Sequence, residues 1–278
     1  MFSQRSTPLI MGILNVTPDS FSDGGQFSDV DAALAQVKRM ITEGVDIIDI
    51  GGESTRPGSE PVSPAEQQQR VIPVISAIRQ TLKSDILISI DTTSSAVAKA
   101  ALEAGANIIN DVSAGQDDPK ILTLSASLNA PIILMHRQGT PKTMQDNPYY
   151  DDVVPEVIST LLEQINLAIQ AGVKKENILI DPGIGFGKRK QDNLELLAHL
   201  DQFVALGYPV LLGTSRKRFM GSICNVTEPA ELVTATAVTT ALGVMAGVQL
   251  FRVHDVKENR QAADVAWAIK YAGDDTLR

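Results

Sequence analysis

Seven polar residues of complementary chemistry stand at, or just past, the ends of short apolar runs: Asn15, Asp91, Asn110, Asp181, Lys217, Arg252 and His254. Two carboxylates can accept hydrogen bonds from a donor-rich ring edge, and an amide can donate and accept at once. Lysine, arginine and histidine offer charge and N–H donors to anionic oxygens. The cations are informative because the chain is acidic overall, with 24 Lys and Arg against 33 Asp and Glu and a net charge of −9. Such a chain repels polyanions at large, so nucleic acid is not an expected partner. Arg216-Lys217-Arg218 and Arg252-Val253-His254 therefore stand out as local basic clusters at strand ends.

The runs that carry these residues are Leu9–Leu14, Val45–Ile50, Ile86–Ile90, Ile108–Ile109, Ile132–Met135, Ile178–Ile180, Val210–Leu212 and Val248–Phe251. Short Ile/Leu/Val runs that are apolar on both faces suit a buried parallel sheet. Chemistry gathered at the C-terminal end of each strand is the layout of a (β/α)8 TIM barrel, whose sites lie on that rim. The fold class expected is thus α/β, a single barrel domain over residues 1–278 with a core of about 9–271.

Between the runs lie helical patterns. Asp31–Ile41 and Val153–Ala171 carry apolar residues at i, i+3 and i+4. Ser63-Pro64-Ala65-Glu66 has the N-cap, first-position proline and third-position glutamate of a helix start. Gly44, Gly105, Gly172, Gly207 and Gly247 each precede a strand, as helix-closing glycines do. The segments Thr17–Ser28, Glu53–Val62 and Arg137–Tyr150 exceed ordinary βα loop length and read as lids or binding loops. No run approaches a membrane span, and the N-terminus has no basic-then-apolar leader. With a lone Cys224, the expectation is a cytoplasmic protein without disulfides.

Met11-Gly-Ile-Leu-Asn-Val-Thr-Pro-Asp-Ser-Phe-Ser-Asp-Gly-Gly25 and Asp49-Ile-Gly-Gly-Glu-Ser-Thr-Arg-Pro-Gly58 are followed by Ser89-Ile-Asp-Thr92 and Ile109-Asn-Asp-Val112. Asp181-Pro-Gly-Ile-Gly-Phe-Gly187, Ser215-Arg-Lys-Arg-Phe219 and Arg252-Val-His254 complete the series. Several unrelated strings recur in this order, and together they resemble the dihydropteroate synthases from about residue 9 to about 270.

The resemblance implies a transferase of folate biosynthesis that joins 6-hydroxymethyl-7,8-dihydropterin diphosphate to 4-aminobenzoate, by a dissociative, SN1-like path. It implies that Asp91, Asn110, Asp181 and Lys217 hold the pterin, with Arg252 against the ring. Asn15, Thr55, Arg252 and His254 then take the diphosphate, and Lys217, Asp91 and Arg252 carry catalysis. Phe21, Thr55, Arg56, Pro57, Phe186 and Arg218 line the aminobenzoate side. Asn15 contributes one neutral oxygen to a Mg2+ held mainly by phosphate and water, while His136 and His199 are expected to bind no metal. A homodimer is implied, with the charge-poor Pro229–Ala246 segment able to lie in it, and sulfonamides are the implied inhibitors. The alternative is a methyltetrahydrofolate-dependent pterin-binding methyltransferase domain, which has no use for a diphosphate site.

Overall fold

The computed structural model describes residues 7–17, 25–54, 58–82, 85–140 and 142–273. Eight parallel strands alternate with helices: β1 (Leu9–Asn15), α1 (Gly25–Thr42), β2 (Ile47–Gly51), α2 (Pro64–Leu82), β3 (Leu87–Asp91), α3 (Ser95–Glu103), β4 (Ile108–Asp111), α4 (Lys120–Leu128) and β5 (Ile132–Met135). The series continues with α5 (Val153–Gln170), β6 (Ile178–Asp181), α6 (Lys190–Ala198), α7 (Leu200–Val204), β7 (Leu211–Leu212), α8 (Arg218–Cys224), α9 (Val233–Ala246), β8 (Leu250–Val253) and α10 (Val256–Lys270). The strands pair in the order β6-β5-β4-β3-β2-β1-β8-β7. A bridge between Ile180 and Val210 joins β6 to the start of β7 and closes the barrel. This seam is the thinnest, since β7 has two residues and β1 pairs with β2 over five.

Every run becomes a strand; β3 and β7 start one residue late, at Leu87 and Leu211, and two starts are displaced by two residues for one reason. β2 starts at Ile47, not Val45, and β8 at Leu250, not Val248. The N–H of Val45 closes α1 on the Met40 carbonyl, and that of Val248 closes α9 on Gly243. The residue after each helix-ending glycine thus serves the helix before the strand begins. The glycines behave as expected: Gly44, Gly105, Gly172, Gly207 and Gly247 all have positive φ. α1 starts at Gly25, six residues before the periodic stretch, so the first loop is shorter than Thr17–Ser28; residues 18–24 of it lie outside the described ones. Ser63 Oγ accepts from the Glu66 N–H at 3.3 Å, the expected start of α2.

Two apolar layers follow from strand alternation. Ile10, Ile48, Ile88, Ile109, Ile132, Ile178 and Phe251 face outward and pack with Val37, Val71, Val97, Leu161 and other helix residues. Leu9, Met11, Ile47, Ile108, Ile133, Leu179, Leu211 and Leu250 fill the lower barrel, with Leu87 against them. Among the described residues no helix is long and apolar enough to cross a membrane.

Candidate active site

Two residues beyond that apolar floor, the same strands turn polar. Ile47 is followed by Asp49, Leu87 by Ser89, Ile108 by Asn110, Leu179 by Asp181, Leu211 by Gly213 and Leu250 by Arg252. Period-two alternation points these residues at the barrel axis. Only β1 and β5 continue apolar, with Ile13 and Met135. Asp91 and His254 lie one step higher on β3 and after β8, at the mouth.

Arg252 organises one side of this polar layer. Its Nε donates to Asp49 Oδ2 at 2.6 Å and its Nη2 to Asp91 Oδ2 at 2.6 Å. Asp49, wholly buried, also accepts from Asn110 Nδ2 at 3.3–3.4 Å. Burial alone would weaken the guanidinium charge, but the carboxylates of Asp49 and Asp91 outweigh it and hold the Arg252 pKa above its ordinary value. Burial pushes Asp91 up to about 7, against the pull of Arg252 and with a push from Asp49. Among the described residues its buried Oδ1 has no partner, and neither has Ser89 Oγ. A buried acceptor with no donor is expensive, and a ligand N–H would relieve it.

The opposite wall is the loop after β6. Asp181 Oδ1 accepts from the Gly183 N–H at 2.7 Å, so one oxygen shapes the loop. Its Oδ2 lies beside Gly213, whose absent side chain also faces Arg252. Burial raises Asp181 to about 6, opposed by the Gly183 N–H and by Lys217, Lys188 and Arg252 nearby. Half-buried Lys217 reaches over from the β7 side: its Nζ lies 2.5 Å from the Ile184 carbonyl and 4.2 Å from the Phe186 ring centroid. Burial lowers it to about 8, with Asp181 pulling the other way. The structure thus brings Asp91, Asn110, Asp181, Lys217, Arg252 and Phe186 around one mouth.

His254 and Asn15 stand at the rim. The His254 N–H and Nδ1 both meet Ser215 Oγ, at 3.0 and 2.9 Å, which fixes the imidazole orientation. Arg216, at φ 58, pairs with Asp255 at 2.5 and 3.0 Å and straps the β7 and β8 loops together. Asn15 ends β1 half-buried and in register with Gly51, which pairs with Asp91. Arg218 is exposed at the first turn of α8. Phe21, Thr55, Arg56 and Pro57 lie outside the described residues, so the structure does not place them. The base of the loop that carries Thr55, Arg56 and Pro57 is described: Glu53 accepts from the Val62 N–H at 3.1 Å and from Gln67 Nε2 at 2.8 Å, joining its two ends.

The competing structural roles also resolve. Ser94, not Asp91, caps α3, and Asp111 is committed to Ser113 and Gly115 in its own loop. His136 is buried with its Nδ1 at 2.9 Å from Lys188 Nζ, and burial together with that lysine drives it down to about 2. His199 Nδ1 meets the Glu195 carbonyl. Reading strand ends missed Asp49, Ser215 and Lys188. Asp49 left a signal, since an acid inside an apolar run and in phase with Ile47 must face the axis. Lys188, inside Gly187-Lys-Arg-Lys190, left none.

The chain matches the sequence profile of the family described as pterin binding enzyme over residues 11–254. Dihydropteroate synthase from Bacillus subtilis is 46% identical over 271 residues, 98% of this chain and 92% of the relative. A Yersinia pestis dihydropteroate synthase crystallised with a sulfonamide drug superposes with a TM-score of 0.89 at 43% identity, covering 95% of both chains. The Xanthomonas albilineans enzyme with 4-aminobenzoic acid gives 0.88 at 46% identity, covering 95% of this chain and 93% of its own.

Proposed function

The chain belongs to the dihydropteroate synthase family of pterin binding enzymes, and from that premise we propose how its rim divides the reaction. The enzyme is a transferase of folate biosynthesis: it forms 7,8-dihydropteroate from 4-aminobenzoate and the pterin diphosphate, and it is a sulfonamide target. Asp181 Oδ2 and the unpartnered Asp91 Oδ1 accept from the amino and ring N–H groups of the pterin, Asn110 completes that edge, and Lys217 donates to the carbonyl and ring nitrogen. The observation that carries this reading is the pair of buried carboxylates facing each other across a mouth lined by Lys217 and Arg252.

Arg252 is clasped by Asp49 and Asp91 and lies against the ring, while His254, aimed by Ser215, meets the diphosphate with Asn15 and Thr55. As the methylene C–O bond breaks, negative charge grows on the diphosphate and positive charge on the pterin methylene. Fixed cations stabilise the first and the carboxylates the second, with no reorganisation needed at the moment of bond cleavage. The neutral amine of 4-aminobenzoate then attacks the carbon, held between Phe186, Pro57, Thr55, Phe21 and Arg56 with its carboxylate toward Arg218, and its proton leaves to water.

Among the described residues no cluster of three His, Cys, Asp or Glu could hold a metal; the amide oxygen of Asn15, half-buried at the end of β1, would offer one ligand to a Mg2+ ion held mainly by the substrate's phosphate oxygens and water. Bound there, the ion would supply charge neutralisation of the leaving group. The methyltransferase reading has no use for a diphosphate site, which is what Arg252, His254 and Asn15 are proposed to form. We also propose a homodimer across α9 and α10, where Val238, Leu242, Met245, Val265 and Ile269 are exposed; sedimentation should give a dimer that Leu242→Glu splits.

The deciding experiment is diphosphate release from the pterin diphosphate with and without 4-aminobenzoate. Release that depends on the amine and on Mg2+, and yields dihydropteroate, is the expected result. No release, with methyl transfer from methyltetrahydrofolate instead, would overturn the reading.

A further inference from the structure

In loop 183–187 the carbonyl of every residue accepts a hydrogen bond from a side chain. Ile184 O takes Lys217 Nζ, Gly185 O takes Gln145 Nε2 at 3.0 Å, and Gly187 O takes the Tyr150 hydroxyl at 2.8 Å. The remaining two go to one side chain: Lys188 Nζ donates to Gly183 O at 2.9 Å and Phe186 O at 3.0 Å. The loop also has no lateral freedom. A Cβ at Gly183 would come within 1.8 Å of the His136 carbonyl oxygen, and one at Gly187 within 2.3 Å of Gln138 O. A Cβ at Gly185 would sit 2.8 Å from Lys217 Cδ, so Gly185 is the floor on which Lys217 lies. All three glycines have positive φ, a shape that other residues resist.

We propose that Lys188 is a positioning residue: from behind the loop it holds the Gly183 and Phe186 carbonyls, and thereby places Ile184 O and the Phe186 ring that aim Lys217 at the pterin. Lys188 is 3% exposed, so its amine works inside the protein and not at the ligand. Its third partner, His136 Nδ1, lies on the β5 side, so the amine ties β5 to the β6 loop. A neutral amine still has two N–H groups for the two close loop carbonyls and a lone pair that can accept from Nδ1–H, although an ammonium holds those carbonyls more strongly. Burial lowers Lys188 to about 7, with the Asp181 carboxylate pulling the other way. Fixing a binding group through the shell behind it keeps that group's bonds at full strength, since a small displacement weakens every one of them.

The inference rests on Lys217 gripping the pterin, and the test separates the two claims. Lys188→Met, Lys217→Met and the double variant are compared by calorimetry with 6-hydroxymethyl-7,8-dihydropterin and by steady-state kinetics, with thermal unfolding alongside. Lys217→Met losing no pterin affinity would remove the underlying reading. With that loss in place, Lys188→Met should raise the pterin Kd and the KM for 4-aminobenzoate by about tenfold, as expected for a displaced charged donor. In the Lys217→Met background the further loss of pterin affinity should be under about twofold, because both variants remove one interaction. A pterin Kd unchanged in Lys188→Met, or full additivity in the double variant, would reduce Lys188 to scaffolding. Should Lys188→Met not fold, the same cycle run with Lys188→Gln reads the same coupling.

Discussion

Leu179 and Asp181 lie two residues apart on β6, both buried and both facing the barrel axis, yet opposite forces govern them. The lower storey, where Leu179 meets Leu9, Met11, Ile47, Ile133 and Leu250, gains free energy from every methylene removed from water. The upper storey, with Asp49, Ser89, Asp91, Asn110, Asp181 and Arg252, costs free energy in the unliganded protein: two of its carboxyls are raised by burial, and Ser89 Oγ and Asp91 Oδ1 lack partners. The floor is built to be stable and the layer above it to be satisfied by something else. A cost retained by a fold at one place is a statement about binding.

The sharpest break in this contrast is Asp181→Ala. It should lower kcat/KM by about 10²–10³-fold, as removal of a preorganised electrostatic group does, with pterin affinity falling in calorimetry and melting temperature holding. The floor should answer in reverse: Leu179→Ala should cost about 2–5 kcal/mol of unfolding free energy in denaturant titrations while the pterin Kd stays put. Loss of pterin affinity in Leu179→Ala with stability intact would erase the distinction between storeys.

A smaller effect divides the upper layer itself. His254→Ala should weaken the pterin diphosphate by about 10- to 100-fold, the range for a bond to a charged group, and leave the diphosphate-free pterin near normal. Equal losses for both ligands would place His254 in the pterin grip.

The smallest effect is a pH dependence. Asp181 titrates near 3.8 in an unperturbed chain and about 6 when folded. Its protonated form is favoured by the fold, so its stabilising contribution is present below about pH 4 and is lost as pH rises through about 6. Asp181→Asn, which keeps an oxygen for the Gly183 N–H, should therefore match wild-type stability in acid and exceed it by about 1 kcal/mol or more at neutral pH. A constant difference across that window would show that Asp181 carries no buried-charge penalty.

The sequence made the rim legible and hid what supports it. A polar residue that ends an apolar run reveals itself by contrast, which is why Asp91, Asn110, Asp181 and Arg252 could be named before any coordinates. Asp49 is interrupted on both sides by isoleucine and shows only through phase. Lys188 sits in a basic string that reads as solvent-facing; its amine is enclosed by His136 at the end of β5 and by the Gly183–Gly187 loop, a tertiary event with no local trace. Strand beginnings slipped at β2 and β8 because Val45 and Val248 are claimed by the preceding helix ends. Phe21, Thr55, Arg56 and Pro57 remain assignments from resemblance.

The thin closure between β6 and β7 has a mechanical meaning. Asp181 stands on one lip of that seam and Lys217 on the strand-to-helix turn of the other, so a pterin held by both would act as a suture. Occupancy should then stiffen the barrel where its own hydrogen bonding is sparsest, and amide exchange at Ile180 and Leu212 should slow on pterin binding more than at Ile48 or Ile88 on the broad β2–β3 side. Seen this way, the substrate is for part of each turnover a structural member of the barrel, and its departure briefly returns the wall to its loosest state.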